Sequence, residues 1–181
     1  MLFPLACHPG TPSVAVRGIS VRLQRTPGNL RIAYRLEAEL ARLRIPARAR
    51  PRIGERLWQH TCFEVFVAPR MPAYHEFNFS PSGEWAARAF SRYREGAPLD
   101  DAALDPGVTV RTGEDGLQLD ALIRLDRISP QHATAMLSLA LSAVIEDEGG
   151  KLSYWALEHP PGKPDFHHPD AFALELDEIR N

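Results

Sequence analysis

The 181-residue sequence has only two cysteines, Cys7 and Cys62, and only two lysines, Lys151 and Lys163. Two cysteines build no disulfide framework, so nothing demands an oxidising compartment, although one Cys7–Cys62 bridge stays open. No stretch approaches the ~18 consecutive apolar residues of a membrane span. The opening MLFPLACHPG lacks a basic start and breaks its apolar run at Pro4, which is not the pattern of a secretory signal. The expectation is a cytoplasmic protein with no membrane association. The formal net charge is only −2, so no basic footprint suggests nucleic acid. GxSxG, a phosphate loop, HExxH and CxxC are all missing, and with them the simplest signs of nucleophilic or metal-dependent catalysis. Nearly all the cations are arginine. Recognition of carboxylates would use that excess, and a GC-rich coding genome alone would also produce it. Nothing in the sequence sets an oligomeric state.

Alternation is what the chain has in quantity. Hydrophobic residues make up 44% and charged residues 24%, enough for one domain with a proper core over 1–181. SVAVRGISVRLQ places Val14, Val16, Ile19, Val21 and Leu23 in one strand, with Gly18 at a bulge. Leu30, Ile32, Tyr34, Leu36, Ala38 and Leu40 alternate with polar residues and predict a long half-exposed strand. LWQHTCFEVFVAP is apolar on both faces, as a central strand would be. Hairpins are predicted over Ser80-Pro81-Ser82-Gly83, Gly113–Gly116 and Asp147–Gly150, with one helical turn capped by Ser129. Residues 95–106 read as a loop, and Phe172, Leu174 and Leu176 as a closing strand. The result is an all-β protein, an antiparallel β-sandwich of about nine strands or more with little helix.

Three stretches carry candidate chemistry. In YHEFNFSPSGEW, period two puts Glu76 and Asn78 on one face. A simple two-residue turn then sets Asn78 opposite Trp85 and Glu76 opposite Ala87. Carboxylate, amide and a flat indole together suit a sugar, whose ring stacks on an aromatic face and whose hydroxyls need paired polar partners. A wet outer sheet face would read the same way. In LWQHTCFEVF, Glu64 shares a face with Trp58, His60, Cys62 and Phe66 inside a strand that looks buried. It needs either an ion pair with Arg92 or Arg94 or a place at the floor of a pocket.

The third stretch, HPPGKPDFHHPD, holds His159, Asp165, His167 and His168 among four prolines. Adjacent His167 and His168 would point apart in an extended segment, which argues against both binding one metal ion. A proline-stiffened loop, with one histidine on the backbone and another toward a ligand, fits better.

Taken together, LWQHTCFEVF, YHEFNFSPSGEWAARAFSRYR, LSLALSAVIE and SYWALEHPPGKPDFHHPDAF resemble the bacterial DOMON-like proteins, over about Leu2 to Leu176. That group is related to family 9 carbohydrate-binding modules and to haem-binding DOMON domains. The resemblance implies an immunoglobulin-like sandwich. From the carbohydrate-binding side it implies a sugar or other small-molecule ligand held by Glu76, Asn78, Arg94 and Trp155, with Trp85 or Trp58 as a second aromatic. From the haem-binding side it implies b-type haem held by Met71 and one of His159, His167 or His168. A noncatalytic sugar-binding domain is the first expectation and haem binding the second.

Overall fold

The computed structural model describes residues 2–179. Strands β1 (Leu2–Cys7), β2 (Val16–Thr26) and β3 (Asn29–Ala38) come first. A long irregular connection then leads to β4 (Cys62–Arg70), β5 (Ala73–Phe79), β6 (Trp85–Arg92) and β7 (Glu95–Pro98). Next are β8 (Thr109–Gly113) and β9 (Gly116–Arg124), followed by the short helices α1 (Leu125–Ile128) and α2 (Pro130–Thr134). The chain closes with β10 (Leu137–Glu146), β11 (Leu152–Ala156) and β12 (Leu174–Leu176).

All the ladders between these strands are antiparallel, and they make two layers joined by one strand. One layer runs β8-β9-β3-β2-β1 and the other β7-β6-β5-β4-β10-β11-β1, with β12 also on β10. β1 belongs to both. Leu2 to Leu5 pair with β2, whereas Ala6 and Cys7 pair with β11. The expected β-sandwich is therefore present, with twelve strands among the described residues rather than about nine. β1 was unread because Pro4 interrupts its apolar run. β7 falls in the stretch read as a loop.

Local chemistry explains most elements. The register of β2 slips between Val16 and Gly18, where the bulge was expected. In β3 every second residue from Leu30 to Ala38 is buried. Ser129 caps α2 by accepting the His132 N–H, with Pro130 at the first helical position. Gly116 has φ +145°, and a Cβ there would lie 1.9 Å from the Leu36 carbonyl oxygen. Only glycine fits that approach.

Between the layers sits the main core. Tyr34, Leu36, Leu119 and Ile123 from one side meet Phe63, Val65, Phe77, Phe79 and Trp85 from the other. The Tyr34 hydroxyl crosses to donate to the Glu64 carbonyl at 2.5 Å. β4 is buried on both faces from Cys62 to Ala68, as its composition predicts for a central strand. Its outer face is covered by the proline-rich segment after β11. Phe166 and Ala171 from that segment join Phe66, Tyr74, Phe90, Val144 and Ala156 in a second apolar cluster. Among the described residues no helix is long and apolar enough to cross a membrane.

Candidate functional site

The proline-rich segment after β11 closes over part of the outer face of the β6-β5-β4-β10-β11 layer. A cavity of about 320 Å³ opens between them. The register sets its floor: Glu64 pairs across β4–β5 with Asn78 and across β4–β10 with Ser142, while Glu76 pairs across β5–β6 with Arg88. Phe90, Val144 and Tyr154 continue the wall from β6, β10 and β11, and Pro164, Phe166 and His167 descend from the covering segment. Trp58 and Arg94 complete the rim. A wider hollow of about 410 Å³ on the outside of the other layer has no aromatic lining, and its carboxylate, Asp120, is already paired with Arg111.

The floor is a buried polar network. Asn78, with no exposed surface, donates its amide to Glu76 Oε1 at 2.8 Å, and its Oδ1 accepts the Cys62 thiol at 3.5 Å. Ser142 Oγ donates to Glu64 Oε2 over a long 3.4 Å. Glu64 Oε1 is buried without a partner. No cation lies within ion-pair distance of either carboxylate among the described residues. The expected pairing of Glu64 with Arg92 or Arg94 is therefore absent: Arg92 pairs with Glu95, and Arg94 with Asp165. Burial, and then the neighbouring Glu76, push the Glu64 carboxyl well above the usual range. Burial also raises Glu76, against the Asn78 hydrogen bond and the fields of Arg88 and Arg94. Burial and the two carboxylates raise the Cys62 thiol. Cys62 and Cys7 are both free thiols.

The rim is set by a two-residue β6–β7 turn. Arg94 adopts a left-handed φ of 56°, and its backbone N–H donates to Tyr74 Oη at 3.1 Å. The Tyr74 hydroxyl also hydrogen-bonds with His167 Nδ1 at 2.9 Å. With the hydroxyl as donor, the neutral ring carries its hydrogen on Nε2. Burial and the Arg94 charge hold His167 down at about 4, so the ring is neutral near pH 7. Asp165 accepts from Arg94 at 2.8 Å, from Tyr93 Oη at 2.7 Å and from the His167 N–H at 3.1 Å. Burial works to raise the Asp165 carboxyl, but those donors outweigh it and hold it below its usual range. Asp165→Ala is expected to cost about 1–3 kcal/mol, read by urea unfolding, and to speed amide exchange over residues 159–171.

The structure separates the sequence candidates. Trp58, Glu64, Glu76, Arg94 and His167 line the cavity; Asn78 lies beneath it and Asp165 braces its rim. Trp85 does not reach it. The β5–β6 loop runs from Ser80 to Glu84, so Phe79 pairs with Trp85 and Asn78 with Ala86. That one-residue shift against the expected register turns Trp85 into the core, 1% exposed. Trp155 also faces inward, 6% exposed, with its indole N–H on Ser153 Oγ. Its neighbour Tyr154 takes the cavity side. Trp58 and His60 do not extend β4 either: Trp58 lies on a single 3-10 turn, and His60 bonds Glu146 at 2.7 Å.

His159 is fastened to β1 through the Ala6 carbonyl at 2.9 Å and packs edge-on against His8. His168 caps a short 3-10 turn, accepting the Asp170 N–H. Met71 packs against the second apolar cluster. Of Met71, His159 and His167, the cavity wall includes only His167, so this set does not fit an axially held haem. Among the described residues no group of three or more His, Cys, Asp or Glu side chains is arranged around a metal position. Arg88, Phe90 and Tyr154 were not singled out from the sequence, and Pro164 and Phe166 were read only as part of the stiffened loop. A basic residue in the otherwise small and apolar run WAARAF was the available signal for Arg88.

No protein-family model matches the chain, and no curated protein matches it. Solved structures match in fold. A candidate carbohydrate-binding protein of Bacteroides uniformis aligns over 94% of this chain and 83% of its own, with TM-score 0.69 and 16% identity. A family 9 carbohydrate-binding module of Caldicellulosiruptor kristjanssonii, in complex with cellotriose, aligns over 90% of this chain and 74% of its own, with TM-score 0.56 and 9% identity. The glucose complex of a module of that family and organism aligns over 83% and 71%, with TM-score 0.52 and 11% identity. Identities this low establish a shared sandwich fold.

Proposed function

We propose that the protein is a noncatalytic carbohydrate-binding domain that takes a sugar into the cavity over β4, β5 and β6. One observation carries this reading: two buried glutamates, an internal amide and four aromatic rings, Trp58, Phe90, Tyr154 and Phe166, converge around a single hollow. A sugar asks for that combination. Its C–H face packs on an aromatic ring while its hydroxyls take planar, preorganised polar partners. The hollow is within the usual size range for small-molecule sites. The shared fold with carbohydrate-binding modules agrees with the reading without supplying it. Within it, Trp58 is the exposed stacking platform, Glu76 the principal carboxylate acceptor, and Asp165 the brace that holds Arg94 in place.

Isothermal titration with a panel of mono- and disaccharides tests the proposal. At least one member is expected to bind, and Trp58→Ala and Glu76→Gln are each expected to weaken that binding by about tenfold, some 1.4 kcal/mol. No heat of binding and no thermal shift across the whole panel would remove sugar binding from consideration.

A further inference from the structure

Arg88 is the cavity group whose bonding is least complete. Its guanidinium lies 6.0 Å from the Trp58 ring centroid and 5.7 Å from that of Phe90. Two aromatic faces thus hold the planar fork in the cavity wall. Among the described residues it makes no hydrogen bond and no ion pair, even though Glu76 is its direct cross-strand partner. Its five N–H donors have no protein acceptor. His167 adds another donor through Nε2 when the Tyr74 hydroxyl donates to its Nδ1.

The acceptors are differently placed. Glu76 Oε1 is taken by Asn78, Glu64 Oε2 by Ser142, and the Asp165 carboxylate by Arg94 and Tyr93. Glu64 Oε1 and Glu76 Oε2 remain as open carboxylate oxygens, against the five open N–H donors of Arg88. Each hydroxyl of a neutral sugar brings a donor that itself needs an acceptor, whereas an oxyanion brings acceptors only. Burial without a cation partner favours the neutral form of Glu64, which lessens the opposition of the floor to an anion.

We propose that the cavity selects an acidic sugar, one carrying a carboxylate or a phosphate, with the oxyanion seated on the Arg88 fork and the His167 N–H. This inference rests on the sugar-binding reading and narrows its ligand class. The experiment is titration at pH 7 with glucose, glucuronate, glucose 6-phosphate and inorganic phosphate, against the native protein and the Arg88→Gln and Arg88→Lys variants, with folding checked by circular dichroism.

Glucuronate or glucose 6-phosphate, whichever source of the oxyanion the site takes, is expected to bind about tenfold or more tightly than glucose, the margin of a charge-assisted hydrogen bond. Arg88→Gln is expected to erase that preference. Arg88→Lys, which keeps the charge but not the fork, is expected to retain only part of it. Glucose binding as tightly as both acidic sugars overturns the inference while leaving sugar binding intact. An undiminished preference in folded Arg88→Gln overturns it too. Inorganic phosphate binding as tightly as the sugar phosphate also counts against it, because the sugar ring would then contribute nothing. If no sugar of either kind binds, the inference falls together with the reading beneath it.

Discussion

Trp85→Ala is expected to destabilise the protein by about 3–5 kcal/mol, the usual range for deleting a large core aromatic. Trp58→Ala is expected to change stability by less than about 1 kcal/mol. The contrast follows from where the two indoles sit. Trp85 is 1% exposed among the core residues of both layers, and its backbone carbonyl and N–H hold the Gly54 and Arg52 segment alongside β6. Removing the ring leaves a void that the surrounding strands fill only partly. Trp58 is 38% exposed and rests at the rim near Arg88. Urea unfolding of the two variants measures the difference directly. For a chain of this length the Trp85 loss corresponds to a melting temperature lower by about 6–20 °C. A Trp85→Ala protein as stable as the native one would mean that the indole does not fill the core, and the β5–β6 register would need revision with it.

That register is also where the sequence was hardest to read. Strand existence was legible because one face of each long strand is buried, as in β3, where Leu30, Ile32, Tyr34, Leu36 and Ala38 point inward in unbroken alternation. The floor of the cavity was legible for the same reason: Glu76 and Asn78 lie two apart on β5, and Glu64 lies between Cys62 and Phe66 on a strand buried on both faces. What alternation cannot supply is the number of residues a turn consumes. Ser80 accepts the Gly83 N–H as the expected Pro-containing turn would have it, but its own N–H donates to the Glu84 carbonyl at 2.9 Å, so the loop holds five residues, Ser80 to Glu84. One extra residue exchanged Trp85 for Ala86 and Arg88 on the cavity side.

Trp155 misleads in a different way. Tyr154 and Trp155 are both aromatic and occupy opposite faces of β11, so composition does not say which one faces the cavity. The pairings of Val144 with Tyr154 and Ala143 with Trp155 decide it. The proline-rich segment was legible in kind but not in detail. Its histidines divide between fastening the chain (His159 and His168) and lining the cavity (His167), and that division depends on contacts with β1 and β5, which are more than 80 residues away.

Glu64→Gln is expected to be more stable than the native protein above neutral pH and to flatten its alkaline slope. The sign follows from linkage. A carboxyl whose folded value lies above its unfolded value keeps its proton longer in the folded state, so native stability is highest below about 4.5 as far as this group is concerned. It falls as pH rises from there through the folded value and levels off above it. Glutamine has the same shape and no charge to bury, so it avoids this loss; the gain is expected at about 1–4 kcal/mol at pH 8–9, as for other buried ionic groups replaced by neutral ones. His132 and His167 act with the opposite sign. Both are held at about 4, His132 by burial and then by its neighbour His75, whose ring packs edge-on at 4.6 Å. Their contribution is complete above the ordinary histidine value of 6.5 and is lost as pH falls from there toward 4. In the native protein the glutamate and histidine effects oppose each other between about 4.5 and 6.5. In Glu64→Gln the stability should therefore climb more steeply across that interval and then stay nearly level, apart from the smaller effect of Glu76. Urea midpoints at half-unit steps from pH 4 to 9 measure both limbs. A native protein whose stability rises steadily to pH 9, with Glu64→Gln parallel to it, would show that Glu64 ionises freely and that the cavity floor is open to water.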